Sequence, residues 1–226
     1  MAATEQELRQ ELVATARAMG SAGINQGTSG NLSARIPGGL LITPSGVPYD
    51  GMGPADLLAI GFDGQLLTTS EESGGGAPGR SLRPSSEWRL HADLLRCRPD
   101  VEAVLHCHSI QATALACHGR PIPPFHYMVV IAGGADIRCA PYATFGSQEL
   151  SDLALEALRD RRACLLAHHG QVCLGGSLAQ ALRLAIEVET LAHMYLQALQ
   201  LGEPPQLSLE EMGRVAERMA ALHYGR

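Results

Sequence analysis

Short apolar runs that alternate with amphipathic segments are the feature of this chain that most constrains its fold. The runs 32–36 and 40–43 are joined by a Pro-Gly-Gly turn, and the runs 57–62 and 65–68 are joined by an Asp-Gly turn. Apolar runs on either side of such turns are typical of β-hairpins. The front of the chain is therefore predicted to form antiparallel strands.

The remainder of the chain alternates between helical spacing and short apolar runs. The pattern predicts helices over residues 5–19, 85–98, 109–118, 147–159, 178–199 and 208–222, and strands over 101–105, 137–140 and 163–167. With 226 residues, of which 46% are hydrophobic, the chain is large enough to bury a sizeable core. We expect an α/β protein whose mainly antiparallel or mixed sheet is covered by helices.

A polar segment rich in Gly and Ser, at residues 69–80, interrupts this pattern. Such a composition is typical of a flexible insertion. Because the pattern of strands and helices continues across it, we interpret residues 1–226 as a single domain.

Charge and cysteine content exclude several classes of protein. The chain has 17 basic and 23 acidic residues, a net charge of −6, which argues against nucleic-acid binding because that requires clustered Lys and Arg. No apolar run approaches the ~18 residues of a membrane span, and the acidic, amphipathic N-terminus does not resemble a secretory signal. The six cysteines form no C-x-x-C pair, so we interpret them as small buried side chains in a reducing compartment and predict a cytoplasmic protein.

Two of the apolar runs lead directly into histidines. His106 and His108 end the run at 101–105, and side chains two residues apart in a strand point the same way, so both can bind one metal. His168 and His169 follow the run at 163–167. If the two strands are neighbours, three imidazoles can converge in the three-ligand pattern of a catalytic zinc site. Spacing alone does not decide between His168 and His169, and hydrogen-bonded histidines without a metal are the simpler alternative.

Other histidines among the nine in the chain fit structural roles. His91 and His193 lie on apolar faces of predicted helices and are interpreted as packed core residues. His118 and His223 are expected at the surface, and His126 is ambiguous.

Three loops rich in Gly, Ser and Thr, at residues 27–31, 43–46 and 84–87, have the composition of an anion site. Glycine lets backbone N–H groups converge, and hydroxyl and amide groups add donors. Taken alone, each loop is better interpreted as an ordinary turn or helix cap. Together they indicate a site for one phosphate group. Glu87, at the start of a helix, is either a favourable first-turn charge or a general base beside a metal.

Seven motifs resemble those of the class II aldolase/adducin family, in order and with near-constant spacing from about residue 20 onward. They are residues 25–31, 41–46, 84–89, 106–108, 126–128, 140–146 and 168–170. The resemblance implies a three-layer fold with a central, mainly antiparallel sheet flanked by helices.

The resemblance also implies one divalent metal per subunit, with Zn²⁺ expected and Mn²⁺, Co²⁺ or Fe²⁺ as alternatives. Its ligands would be His106, His108, His169 and Glu87, and Glu87 would leave the metal to act as the catalytic acid/base.

Substrate binding is implied at further positions. The phosphate would be held by five residues: Asn31, Ser45, Gly46, Ser85 and Ser86. Tyr127 of a neighbouring subunit would protonate the aldehyde oxygen, Phe145 would line the pocket, and Tyr224 would close over it. These roles imply a homotetramer with active sites between subunits.

The activity implied is retro-aldol cleavage of a ketose 1-phosphate, of the L-fuculose 1-phosphate type, to dihydroxyacetone phosphate and a short aldehyde such as lactaldehyde. Aldolases of 5-deoxyribulose 1-phosphate or 5-methylthioribulose 1-phosphate are the main alternative. Sugar-phosphate epimerases, which carry Asp at the position of Glu87, dehydratases and a non-catalytic adducin-like module are weaker alternatives.

Overall fold

One sheet forms the centre of the protein, and its strands and helices follow the alternation of the sequence. The computed structural model describes residues 4–67, 82–222 and 224. The predicted insertion at 69–80 lies outside these residues. The strands are β1 (Asn31–Ile36), β2 (Gly39–Ile42), β3 (Leu58–Gly61), β4 (Ala103–Cys107), β5 (Arg138–Ala140), β6 (Ala163–Leu166) and β7 (Gly170–Gly175). The helices are α1 (Glu5–Ser21), α2 (Trp88–Cys97), α3 (Ile110–Cys117), α4 (Gln148–Ala157), α5 (Leu178–Leu199) and α6 (Leu209–Ala221).

The sheet has seven strands in the order β3-β2-β1-β4-β7-β6-β5. Only the β5–β6 pair is parallel, and the other neighbouring pairs are antiparallel. Side chains that alternate along a strand point to opposite faces, so Leu40 and Ile42 enter one core and Leu41 enters the other. Helices α1, α3 and α5 cover the face of Leu41, and α2 and α4 cover the opposite face. The expected three-layer fold with a mainly antiparallel sheet is confirmed.

Strand β7 was not predicted from the sequence, and it changes how the histidine-bearing strands are related. It lies between β4 and β6 and is antiparallel to both. Strands β4 and β6, whose adjacency the sequence left open, are therefore not neighbours in the sheet. They are instead parallel to each other across β7, so that both end at the same edge of the sheet. The β6–β7 connection is so tight that Leu166 pairs with Gly170, and the apolar run of β7, residues 172–174, is too short to predict a strand by itself.

Two other elements are shorter than predicted. The second hairpin consists of β3 and a single bridge between Ile60 and Leu66. Helix α2 begins at Trp88 rather than Ser85, because the residues before it form a loop. That loop is part of the candidate site.

The longest helix, α5, packs one face onto the sheet through buried side chains such as Leu184, Val188 and Leu191. Its opposite face is polar, and His193 is exposed there, so the prediction that His193 is a core residue is wrong. No helix in the described parts of the chain is sufficiently long and apolar to cross a membrane.

The cysteines divide between core and surface. Cys107, Cys164 and Cys173 are buried, whereas Cys97 and Cys117 are exposed. Their interpretation as small core side chains is thus wrong for the two exposed residues, which lie at the last turns of α2 and α3.

Arg35 ties strand β1 to the connection between α2 and β4. Its guanidinium donates hydrogen bonds to the carbonyl oxygens of Leu95 (2.6 Å), Arg98 (3.0 Å) and Val101 (2.7 Å). Carbonyl groups that lose a partner inside a folded chain cost stability. This one side chain therefore fixes the end of α2 relative to the sheet.

We expect Arg35→Met to lower the free energy of unfolding by about 2 kcal/mol, because partly buried carbonyls lose their donor. Urea unfolding at fixed protein concentration measures the change. Arg159→Met is the matched control, since Arg159 forms only an exposed ion pair with Glu156 and should change stability little. Equal stability of the two variants would contradict the role of Arg35.

Candidate active site

Three imidazoles meet at the edge of the sheet where β4 and β6 end. The ring centroids of His106, His108 and His169 lie 4.7 to 4.9 Å apart. One nitrogen of each ring lies within 4.8 Å of the others. Of the two histidines that spacing left open, the structure thus brings His169 into the cluster.

Strand pairing holds His106 in one orientation. The ring is fully buried, and its Nδ1 lies 2.9 Å from the carbonyl oxygen of Gln171 in β7. A carbonyl oxygen can only accept, so Nδ1 carries the proton and Nε2 keeps its lone pair. That lone pair faces His108 Nε2 at 3.0 Å.

The tight connection between β6 and β7 directs His169 into the cluster. His168 adopts a left-handed conformation with φ of 55°, which turns the chain at this point. Gly170 follows, and a Cβ there would lie 2.5 Å from the Cys107 carbonyl oxygen and 2.9 Å from the His108 ring. The absence of a side chain at Gly170 therefore lets β7 start directly against the two histidine-bearing segments.

Glu87 completes the cluster from the loop before α2. Its side chain is 5% exposed, and Oε2 lies 3.2 Å from His106 Nε2 while Oε1 lies 3.4 Å from His169 Nε2. Asn31 Nδ2 donates a 2.9 Å hydrogen bond to Oε2. Oε1 is buried without a hydrogen-bond partner among the described residues.

Burial and proximity determine the charges in this cluster. Burial lowers the pKa of His106, and it lowers the pKa of His169 to about 4, so both rings are neutral near pH 7. Burial alone would raise the pKa of Glu87, but the positive charge that His106 and His169 carry when they are protonated at low pH, together with the hydrogen bond from Asn31, outweighs burial and lowers that pKa. The carboxylate is therefore ionised.

The donor set fits a divalent transition metal. Nε2 of His106 cannot donate a hydrogen bond because Nδ1 holds the proton, yet it faces a carboxylate oxygen and another imidazole nitrogen. A lone pair that faces a carboxylate oxygen in this way is repelled by it, and a cation between the two removes the repulsion. Imidazoles with one carboxylate are ligands of Zn²⁺ and of related transition metals.

A cavity of about 360 Å³ opens beside the cluster. The predicted residues that line it are Asn31, Ser45, Gly46, Ser85, Ser86, Glu87, His108, Phe145 and His169. His106 lies beneath, fully buried. The described lining includes no Lys or Arg.

Backbone hydrogen bonds hold the loops of this cavity together. Ser45 N–H donates to the carbonyl oxygen of Arg83 at 2.9 Å, and Ser85 N–H donates to that of Thr43 at 3.1 Å. Gly46 has a φ of 70°, which a side chain would disfavour. The loops after β2 and before α2 thus form one wall of small polar residues.

Two predicted residues lie elsewhere. Tyr127 and Tyr224 are 48% and 58% exposed, and neither lines the cavity. Tyr224 lines a separate cavity of about 640 Å³ together with Met128, the neighbour of Tyr127. The cluster and these two tyrosines therefore occupy different parts of one chain.

The sequence did not identify several residues that contribute to the site. Tyr142 and His168 also line the cavity, and their rings make an edge contact at 6.0 Å. Gln171 orients His106 through a backbone carbonyl, which no side-chain pattern can reveal. Tyr142 could have been found, because it lies within a motif that already contained Phe145.

Comparison with known proteins agrees with this site. The model of the family "Class II Aldolase and Adducin N-terminal domain" matches residues 10–196. The chain is 49% identical over 211 residues to a 5-methylthioribulose-1-phosphate/5-deoxyribulose-1-phosphate aldolase of Rhodospirillum rubrum, covering 93% of this chain and 90% of that protein. It is 43% identical over 213 residues to an L-fuculose phosphate aldolase of Escherichia coli O6:H1, covering 94% of each.

Solved structures give the same result. A structure of L-fuculose 1-phosphate aldolase superposes with a TM-score of 0.87 at 35% identity, and the match covers 97% of this chain and 98% of that chain. The resemblance seen in the sequence motifs is thereby confirmed. The chain belongs to the class II aldolase and adducin family and is one of its aldolases.

Proposed function

We propose that the protein cleaves a ketose 1-phosphate by a retro-aldol reaction to dihydroxyacetone phosphate and a short aldehyde. The observation that carries this proposal is the meeting of three neutral imidazoles and an ionised, buried carboxylate beside a cavity walled by small polar loops. We also propose that residues 1–226 form one domain of this family, which the single seven-stranded sheet supports. We also propose a cytoplasmic location, because six cysteines without a C-x-x-C pair are typical of a protein in a reducing compartment.

The phosphate group would bind to the neutral wall of the cavity. Asn31, Ser45, Gly46, Ser85 and Ser86 supply amide, hydroxyl and backbone N–H donors there. Because the described lining has no cationic side chain, the negative charge of the phosphate is met by hydrogen bonds and by the charge of the metal.

His106, His108, His169 and Glu87 would hold one divalent metal per subunit, for which we propose Zn²⁺, with Mn²⁺, Co²⁺ and Fe²⁺ as alternatives. When bound, the cation supplies Lewis acidity that polarises the substrate carbonyl and offsets the negative charge developed during cleavage.

Glu87 would transfer the proton at carbon. In the direction of condensation, its carboxylate takes a proton from C3 of dihydroxyacetone phosphate, and in cleavage it returns that proton after the C3–C4 bond breaks. Its buried Oε1, which has no hydrogen-bond partner among the described residues, leaves a lone pair available for this role.

Tyr127 would transfer the proton at oxygen from a neighbouring subunit. In the direction of condensation it donates to the aldehyde oxygen, and in cleavage it accepts the proton of the C4 hydroxyl group. Tyr127 and Tyr224 lie away from the cavity of their own chain and are exposed. Their exposure supports a homotetramer in which each subunit adds both tyrosines to the site of another.

The aldehyde half of the substrate would lie against Tyr142, Ala143 and Phe145. This apolar lining suits a methyl or methylthio end, as in L-fuculose 1-phosphate, the substrate type proposed from the sequence. A 5-deoxyribulose or 5-methylthioribulose 1-phosphate is the second candidate, favoured by the 49% identical relative from R. rubrum.

Two other functions found in the family, epimerisation and a non-catalytic role, are less consistent with the site. Epimerases of the family resemble this chain but have Asp at the position of Glu87. A non-catalytic adducin-like module would not require the clustered His106, His108, His169 and Glu87 that this chain retains.

Metal binding gives a direct test of the ligands. Purified protein stripped of metal and dialysed against Zn²⁺ should take up one ion per chain. Loss of a residue that only orients a metal ligand weakens metal binding by up to about 100-fold. His108 is itself a proposed ligand, so His108→Ala should weaken Zn²⁺ binding by more than about 100-fold. His118→Ala, which changes an exposed histidine, should bind like the wild type. Equal affinity of both variants would remove His108 from the ligand set.

Replacing Glu87 separates binding from catalysis. Glu87→Gln should lower kcat for cleavage by about 10²- to 10⁴-fold, because an acid/base group is lost. Binding of dihydroxyacetone phosphate, followed by calorimetry, should persist because the polar wall is unchanged. Glu156→Gln alters an exposed carboxylate and serves as the control. Full activity of Glu87→Gln would refute the assigned role.

Mixed tetramers test the contribution of the second subunit. Tyr127→Phe should slow cleavage with the tetramer intact. When Glu87→Gln and Tyr127→Phe chains are unfolded together and refolded at equal amounts, about one quarter of the sites should combine an intact Glu87 with an intact Tyr127 from the other chain. Activity of the mixture should therefore exceed that of either variant alone. No gain on mixing would show that Tyr127 does not act across subunits.

A further inference from the structure

A continuous row of hydrogen bonds leads from inside the protein to Glu87. His91, within α2, is fully buried, and its Nδ1 lies 2.7 Å from Ser33 Oγ in β1. Its Nε2 lies 2.5 Å from Asn31 Oδ1, and Asn31 Nδ2 donates to Glu87 Oε2 at 2.9 Å. Four side chains are thus joined in the order Ser33, His91, Asn31 and Glu87.

Only one placement of the hydrogens gives each of these three hydrogen bonds one donor and one acceptor. An ionised carboxylate can only accept, so the amide of Asn31 must present its NH₂ group to Glu87 and its oxygen to His91. His91 must then donate through Nε2–H, and its Nδ1 accepts from the hydroxyl of Ser33. Burial lowers the pKa of His91 to about 3, which keeps the ring neutral, as this assignment requires.

These hydrogen bonds restrict the side-chain amide of Asn31, which the pairing of its backbone does not. Asn31 pairs with His106 across β1 and β4, which fixes its Cα but leaves the amide free to rotate by half a turn. With the amide reversed, its oxygen would face the Glu87 carboxylate and repel it. The hydrogen bond from His91 Nε2–H to the amide oxygen adds to this preference and holds the amide in the orientation that places Glu87 Oε2 3.2 Å from His106 Nε2.

We propose that His91 is a positioning residue, which acts through Asn31 to hold the Glu87 carboxylate in its working orientation. The packing role that the sequence suggests does not require a nitrogen donor, because an apolar side chain would also fill the space. The nitrogen of Asn31 carries a second hydrogen, so the same amide can serve Glu87 and the phosphate at once. This inference rests on the proposed function of Glu87.

Two substitutions at His91 distinguish positioning from packing. The side-chain amide of Gln reaches about as far as Nε2 of histidine, whereas that of Asn ends near the place of Nδ1. His91→Gln therefore keeps a donor for Asn31, and His91→Asn does not. We expect His91→Asn to lower kcat by about 10- to 100-fold, as for other groups that orient a ligand, with a smaller change in KM. His91→Gln should restore most of kcat.

Crystal structures of both variants without metal test the proposal without any measurement of enzyme activity. The Asn31–Glu87 hydrogen bond should persist in His91→Gln and be lost in His91→Asn. Equal kcat losses in the two variants, or an unmoved Glu87 in His91→Asn, would overturn the proposal. If wild-type protein cleaves no ketose 1-phosphate, the proposed function fails, while these structures still decide whether His91 positions Glu87.

A further variant covers the case in which His91→Asn does not fold. Ser33→Ala removes the hydroxyl donor to Nδ1 but leaves the imidazole in place. It should lower kcat less than His91→Asn does and lengthen the Asn31–Glu87 hydrogen bond in the crystal structure. Wild-type kcat together with an unchanged Asn31 would overturn the proposal.

Discussion

The hydrogen bond between His106 Nδ1 and the Gln171 carbonyl oxygen is the contact on which the candidate site depends. It places the ring proton on the β7 side, so that Nε2 presents a lone pair to His108 and Glu87. Because the carbonyl belongs to a strand in the middle of the sheet, the backbone ladder itself sets the tautomer of the histidine. The geometry of the proposed metal site is thus set by the pairing of strands in the sheet.

The same edge of the sheet explains how an acidic protein can bind a phosphorylated substrate. Antiparallel pairing brings the start of β1 beside the end of β4, and the loops after β2 and before α2 join them there. These segments contribute neutral donors from small side chains and from the backbone. In the proposed mechanism the positive charge would come from the metal, which would offset the negative charge that develops in the reaction.

Much of this could be predicted from the sequence, because apolar runs and turn residues act locally. Helix α5 has the bounds predicted for it, and the strands that lead into His106 and His169 were identified. Strand β7 was missed because its apolar run has only three residues, 172–174. His193 was misplaced because helical spacing does not reveal which face packs on the sheet. The link from His91 to Asn31 depends on the pairing of distant segments, which no local pattern contains.

The most direct measurement is the release of dihydroxyacetone phosphate from L-fuculose, 5-deoxyribulose and 5-methylthioribulose 1-phosphates by protein stripped of metal and then reloaded. The proposed mechanism predicts no release without metal, recovery at one Zn²⁺ per chain, and cleavage of at least one of the three substrates. Undiminished release by fully stripped protein would contradict it, as would the failure of every substrate with Zn²⁺, Mn²⁺, Co²⁺ and Fe²⁺.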